Sequence, residues 1–262
     1  DEVINITRGE SKNGETVSLR GVRETVTYEN KIWDGEALLD ESVFEEQKRA
    51  RRLTQQLNTM DRADFDGIGK IVKELLGKSD GAFINPPFYC DYGFNIEVGK
   101  NFFANYNCTI LDVAKVTIGD NCQMAPNVAI YTAGHPVHPQ TRNTAYEYGI
   151  SVTIGDNVWI GGNTVICPGV HIGSNTVIGA GSVVTKDIPD WCIAAGNPCK
   201  VIRTITEEDK KLYYKDREFD EEAWNIALQK MKELGVSTWA VIHCPEIGMG
   251  LDENDNLVEV PS

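Results

Sequence analysis

Between Ile154 and Val184 an aliphatic residue returns at every sixth position, as Ile154, Ile160, Ile166, Ile172, Ile178 and Val184. Glycine follows directly after Ile154, Ile160, Ile172 and Ile178. The same phase runs upstream through Ile118, Met124 and Ile130, and more loosely through Val98 and Ala104. A period of six matches neither the 3.6-residue helix nor the two-residue strand. It matches a coil of triangular cross-section whose side repeats every six residues. Each aliphatic residue then points inward and stacks on its equivalents one turn above and below. Small residues and Asn or Asp negotiate the corners, here Asp120-Asn121, Asp156-Asn157 and Ser174-Asn175. The fold class is therefore mainly β, a parallel β-helix, assigned to residues 79–203.

The flanks read differently. Ser42 to Glu45 matches a capping box, and Phe44, Ala50, Leu53 and Leu57 follow at near-helical spacing, which predicts an amphipathic helix over 42–58. Phe65, Ile68, Ile71, Val72, Leu75 and Leu76 line one face of a second helix, with Gly77 as its stop. These two helices define a helical region at 31–78. After the prism, Thr206 to Asp209 resembles another cap, and Trp224, Ala227, Leu228, Met231 and Leu234 predict a C-terminal helix within 204–235. The N-terminal extension 1–30, with an Asn13-Gly14 turn signal, and the tail 236–262 are each expected to form a short strand pair.

The hexad rule lapses from Ile130 to Ile154, so a loop excursion is assigned to 131–153. A loop thrown out of a rigid repeat is where function usually sits. This one holds two of the four histidines, His135 and His138, among the prolines Pro136 and Pro139. Histidine titrates nearest neutrality, so it can take a proton from a hydroxyl and later release it. On the residues alone, a catalytic base and a satisfied structural histidine stand as equal readings. The spacing of His135 and His138 gives little support to a zinc site shared with His171, and no metal is assigned.

The chain carries 39 acidic and 25 basic residues, for a formal charge of −14. That balance argues against nucleic acid or an anionic membrane as the main partner, and an anionic ligand would need a local basic pocket. No apolar run approaches the roughly 20 residues that span a bilayer. The stretch from Asp1 lacks the basic and apolar regions of a signal peptide, although a chain that starts at Asp leaves a removed leader open. The seven cysteines are scattered, odd in number and without a CxxC pair. They read as small core fillers of a reducing, cytoplasmic compartment.

Five segments in order make the chain recognisable. They are Asn101 to Asn107 (NFFANYN), Ile110 to Val113 (ILDV), Tyr131 to Pro136 (YTAGHP), Trp159 to Gly162 (WIGG) and Ala195 to Pro198 (AGNP). From about Gly35 to Arg203 the chain resembles the hexapeptide-repeat sugar O-acetyltransferases, the maltose and galactoside acetyltransferase family. The resemblance implies a left-handed coil, an exception to the usual right-handed crossover. It implies transfer of an acetyl group from acetyl-CoA to a sugar hydroxyl in a ternary complex, with His135 as base, Asn105 as donor to the oxyanion, and Glu147 orienting the imidazole or touching the sugar.

The same resemblance places sugar contacts at Asp40, Asp91 and Asp112. It places coenzyme A along Trp159, Gly162, Ala180 and Thr185, with Lys186, Lys200 and Arg203 facing its phosphates. It further implies a homotrimer with each active site between neighbours. Asp91 stands where the galactoside branch has serine, and Val113 where that branch has an acid, so a maltose- or glucose-like acceptor is expected. The same fold acting on an antibiotic, a serine or a nucleotide-sugar amine is the alternative. A non-catalytic β-helix scaffold is another, but it would lack a histidine-bearing excursion.

Overall fold

The computed structural model of the chain describes residues 15–21, 24–27, 41–143, 146–218, 249–251 and 257–259, together with Asp220, Glu222, Asn225, Ile226 and Gln229. Residues 78–204 wind into a three-sided parallel β-helix. The first side stacks Lys78–Asp80, Ile96–Lys100, Val116–Ile118, Val152–Ile154 and His171–Ile172. The second stacks Phe83–Ile84, Phe103–Ala104, Gln123–Met124, Trp159–Ile160, Val177–Ile178 and Cys192–Ala195, and Lys200–Thr204 closes it by turning back antiparallel. The third stacks Phe88–Cys90, Cys108–Leu111, Ala129–Tyr131, Val165–Ile166 and Val183–Val184.

The hexads explain this stacking. With three sides of six residues, positions one full turn apart meet: Ile154 pairs with Ile172, Ile160 with Ile178, and Ile166 with Val184. Between Ile118 and Ile154, which also pair, the excursion doubles the step. All these side chains are buried in one continuous core. Asn101, Asn121, Asn157 and Asn175 turn one corner with φ of 56° to 58°. Asparagine tolerates that left-handed conformation better than other residues bearing a Cβ. Their side-chain amides also bond in a column, Asn101 to Asn121 at 2.9 Å, Asn121 to Asn157 at 3.0 Å and Asn157 to Asn175 at 2.8 Å.

Two helices close the first coils. α1 (Glu41–Thr59) begins ahead of Ser42, so the expected cap lies inside the helix. It buries Ala50, Leu53 and Leu57, and Asn58 exchanges two hydrogen bonds with the Phe88 backbone, at 2.8 and 3.0 Å. α2 (Phe65–Leu75) buries Ile68, Ile71, Val72 and Leu75, but Phe65 is 61% exposed and leaves the expected apolar face to lie against the Phe83 ring. Gly77 follows the helix for a reason other than a left-handed cap. A Cβ there would overlap the Phe94 carbonyl, so the position requires close backbone approach.

The N-terminal strand pair is present as β1 (Glu15–Gly21) and β2 (Glu24–Thr27), while the Asn13-Gly14 turn signal lies outside the described residues. β1 pairs with the excursion, whose own strands are β3 (Ala133–Gly134) and β4 (Tyr146–Ile150). The chain divides into two compact units, residues 1–205 and 206–262. In the second, the Thr206 N–H donates to Asp209 Oδ2 at 2.8 Å ahead of a short 3-10 helix, Glu207–Lys211. The five apolar residues of the expected C-terminal helix lie outside the described residues, while Asn225, Ile226 and Gln229 between them are helical. Met249–Leu251 pairs antiparallel with Leu257–Glu259, the strand pair expected of the tail. Among the described residues no helix is long and apolar enough to cross a membrane.

Candidate active site

The excursion leaves the prism at the corner between the third and first sides. Thr132 pins its neck. The buried Thr132 hydroxyl donates to the Leu111 carbonyl at 2.7 Å and accepts the Ala114 N–H at 2.9 Å, and the Thr132 carbonyl accepts the Ile150 N–H at 2.8 Å. From this neck β3 and β4 run out antiparallel, with Ala133 opposite Gly149 and Gly134 opposite Tyr148. At Gly134 a Cβ would meet the far end of the Tyr148 side chain. One step further along the same register, His135 stands opposite Glu147.

Cross-strand neighbours lie within side-chain reach of each other. His135 Nε2 is 4.0 Å from Glu147 Oε1, with the imidazole about half exposed (52%) and the carboxylate buried. The strand pairing thus sets a half-exposed imidazole beside a buried carboxylate. His138 has a different task. It caps the short helix α3 (Pro139–Arg142), its Nδ1 accepting the Gln140 N–H at 3.2 Å.

Beneath the excursion, one turn of the coil down, lies Asp112. Its carboxylate is fully buried and accepts the backbone N–H groups of Asp91 at 3.0 Å, Tyr92 at 2.9 Å and Asn95 at 3.3 Å. Asn95 in turn donates its side-chain amide to the Asp112 carbonyl at 2.6 Å. Asp112 is therefore a brace for the turn 91–95, with its oxygens engaged by that turn. Asp91, half-buried on the turn, is the acid presented at the surface of this corner. Tyr92 ties the turn to α1, its hydroxyl accepting from Gln47 Nε2 at 3.1 Å. Asp40 lies outside the described residues.

Burial pushes the Asp112 carboxyl up from 3.8 to about 6, against the N–H donors that pull it back, with the neighbouring Asp91 charge raising it further. A carboxyl held above its unfolded value binds its proton more tightly in the folded state. Its contribution to stability is present below about pH 4 and is lost as pH rises through about 6. The Asp112 carboxyl carbon is accordingly expected to titrate near pH 6 by NMR. A midpoint near pH 4 would refute this account of the brace.

Asn105 sits at the corner between the second and third sides. Its Oδ1 accepts the Tyr106 N–H at 2.8 Å. Four strand residues, Cys108–Leu111, separate this corner from that of the excursion. At about 3.3 Å per residue that is roughly 13 Å, so the coil of one chain does not bring Asn105 up to His135.

Along the Asn105 corner the column continues through Ala125, Gly161 and Gly179, whose N–H groups donate to the carbonyls of Ile160, Ile178 and Ala194 one coil on, and ends at Ala195. These residues must be small: a Cβ on Gly161 would stand 2.5 Å from the Ala180 nitrogen, and one on Gly179 2.8 Å from the Ala195 Cβ. Gly162 and the exposed Ala180 edge this shallow corner. The exposed Trp159 ring flanks it on the second side, in one register row with Val177, Ile193 and Arg203. Three strand spacings of about 4.8 Å place Arg203 roughly 14 Å along the axis from Trp159. Lys200 pairs with Ala195 at the top of the same corner, while Thr185 and Lys186 are exposed at the end of the third side.

A family model described as bacterial transferase hexapeptide (six repeats) matches residues 151–186. The galactoside O-acetyltransferase of Escherichia coli (strain K12) is 47% identical over 177 residues, which span 67% of this chain and 87% of that protein. The chain belongs to the hexapeptide-repeat sugar O-acetyltransferases. Among solved structures, a galactoside acetyltransferase in complex with coenzyme A is 46% identical at a TM-score of 0.67, covering 69% of this chain and 91% of that one. A maltose O-acetyltransferase from Clostridium difficile 630 is 51% identical at a TM-score of 0.63, covering 64% and 90%. The coil is thus the left-handed parallel β-helix of this family, and the enzyme is an acetyl-CoA-dependent O-acetyltransferase.

The cysteines of this acetyltransferase are poor candidates for carrying the acetyl group. The six described are free thiols, and Cys244 lies outside the described residues. Burial raises the Cys90 thiol strongly and pushes Cys108 and Cys122 up to about 11, far from the thiolate form that attacks a thioester. Thr132 and Asn95, which hold the excursion and the turn 91–95, escaped the sequence reading. The signal for Thr132 is its place directly after the last inward residue before the repeat breaks.

Proposed function

We propose that the enzyme acetylates a hydroxyl of a maltose- or glucose-like sugar by direct attack in a ternary complex. His135 takes the proton of the acceptor hydroxyl as its oxygen bonds to the acetyl carbon. The carbon–sulfur bond then breaks, and the imidazolium returns the proton to the coenzyme sulfur, releasing free thiol. Glu147 stabilises the imidazolium in between, and the Asn105 amide donates to the oxyanion with help from the backbone near Gly162. The observation that carries this reading is the cross-strand pairing of half-exposed His135 with buried Glu147.

Asp40 and Asp91 are the acids proposed to accept sugar hydroxyl hydrogen bonds, and Asp112 acts through Asp91 as a positioning residue. The pantetheine of acetyl-CoA lies along Trp159, Gly162, Ala180 and Thr185. Lys186, Lys200 and Arg203 meet its phosphates and supply the local positive charge that an acidic chain must concentrate. Because Asn105 and His135 leave the coil at different corners, a complete site needs the excursion of a second copy. Val137, 92% exposed at the tip of the excursion, supports this, since an aliphatic side chain so presented suits burial against a neighbour. We therefore propose a homotrimer, the closed arrangement that joins three such corners. Free thiols throughout the described coil support a cytoplasmic setting.

The test is release of coenzyme A thiol from acetyl-CoA in the presence of maltose, glucose and a panel of related sugars. Turnover with glucose-type sugars above galactosides is expected. Absence of turnover across the panel would dismiss the sugar assignment.

A further inference from the structure

Two side chains at the Asn105 corner, Tyr106 and Arg62, take no part in the proton transfer. The carbonyls of Pro87, Tyr106, Pro126 and Gly162 accept the N–H groups of Asn107, Asn127, Asn163 and Gly181 at 2.8 to 3.0 Å, so Tyr106, Pro126 and Gly162 stack as one column of corner residues. Ala180, directly before Gly181, follows above them. Down this column the side chains grow, from the methyl group of Ala180 and the bare Gly162 to the Pro126 ring and then the Tyr106 ring, which is 44% exposed. At one strand spacing per coil, Tyr106 lies about 10 Å below Gly162.

The Tyr106 ring is held from the helical side. The Arg62 guanidinium carbon stands 5.8 Å from its centroid, within the range of a cation–π contact. The turn between α1 and α2 presents Arg62 there. Asp61 Oδ1 accepts the Ala63 N–H at 3.0 Å, the Asp61 carbonyl accepts the Asp64 N–H at 3.1 Å, and the Asp64 carboxylate caps α2 by accepting the Gly67 N–H at 2.9 Å. Phe65 then meets the Phe83 ring at 5.8 Å, and Phe83 stacks on Phe103 at 6.0 Å. This run of rings seats the turn on the second side, two residues ahead of Asn105.

We propose that Tyr106, backed by Arg62, is the end wall of the acyl-donor slot and restricts the enzyme to short acyl groups. The inference rests on the reading that acetyl-CoA lies along this corner with its thioester at Asn105. The donor then descends past Ala180 and Gly162, where small residues leave room for pantetheine, and its acyl carbon stops in the coil that carries Asn105. A chain carbon beyond the acetyl methyl continues down the column onto the Tyr106 ring. A longer acyl group would be transferred by the same course, the acceptor oxygen bonding to the acyl carbon as the bond to sulfur breaks and the hydroxyl proton passes to the sulfur. Tyr106 determines which donor fits and takes no proton itself.

The experiment measures thiol release by the full chain with acetyl-CoA, propionyl-CoA and butyryl-CoA, using the fastest acceptor of the sugar panel. One methylene group at a shaped pocket is discriminated by roughly 10- to 200-fold, so Tyr106→Ala should raise the butyryl-to-acetyl ratio of kcat/KM about 10- to 100-fold. Arg62→Ala, which frees the ring, should raise it about two- to fivefold. Tyr106→Phe, which keeps the ring, should hold the ratio within about twofold. The ratio decides, because a general loss of structure lowers all three donors together. Tyr106→Leu and Arg62→Ala give the answer if Tyr106→Ala does not fold. A full chain that uses butyryl-CoA as well as acetyl-CoA overturns the wall alone, and so does a ratio unmoved in the folded Tyr106 and Arg62 variants. Failure of the full chain with acetyl-CoA on every sugar overturns the functional reading, and the wall with it.

Discussion

His135→Ala should lower kcat by roughly 100- to 10,000-fold, the usual worth of a positioned general base. The affinity for acetyl-CoA should stay within about twofold, because Trp159, Gly162 and Ala180 line a different corner of the coil from the excursion. Steady-state thiol release gives the first quantity and calorimetric titration with acetyl-CoA the second. The fold should survive the change, since the imidazole is half exposed and the strands on either side are held by backbone pairing and by Thr132. Near-normal turnover would remove His135 from the mechanism. A loss confined to KM would instead make it a sugar contact, since a base acts on the transition state and not on ground-state binding.

The second large effect belongs to Asn105. Removing one donor to a developing oxyanion typically costs about 100- to 1000-fold in kcat. The Tyr106 N–H already occupies the Asn105 oxygen, so the donor end of the amide is the part available for catalysis. Asn105→Ala and Asn105→Asp should therefore be similarly slow, although aspartate keeps the acceptor for Tyr106 and sets a negative charge against the oxyanion. Recovery of rate by Asn105→Asp would show that the residue serves only to shape the corner. Both measurements are made on the purified full chain with saturating sugar, where kcat reports the chemical step most directly.

The residues differ in how far they were legible from spacing alone. Ile154 to Val184 announced the core, because an inward side chain every six residues leaves few other ways to bury an unbroken series. The asparagines at the corners were legible too, since few other residues accept a positive φ there. Phe65 was not: it has helical spacing, but at the first turn of the helix it rests on the Phe83 ring and stays 61% exposed. Gly77 looked like a helix stop and is in fact a point where two backbones meet, a contact between residues distant enough that no local pattern encodes it. Asp112 resembled a sugar ligand. Its three backbone donors come from residues 17 to 21 positions earlier, and only the coil brings them to its carboxylate.

What the sequence by itself determined is the period, and with it the prism, its buried rows and the place where the winding is interrupted. The break drew attention to His135, and the ordered segments around it carried the family. Tertiary structure alone decided which groups share a corner. It set His135 against Glu147 through strand register, engaged the Asp112 carboxylate with the turn 91–95, separated Asn105 from the excursion by a full side of the prism, and laid β1 beside β4. The physical reason is the same in each case. A repeat fixes which way each side chain points because neighbours along the chain set the turn, whereas contacts between strands depend on register across gaps of many residues, which no local spacing records.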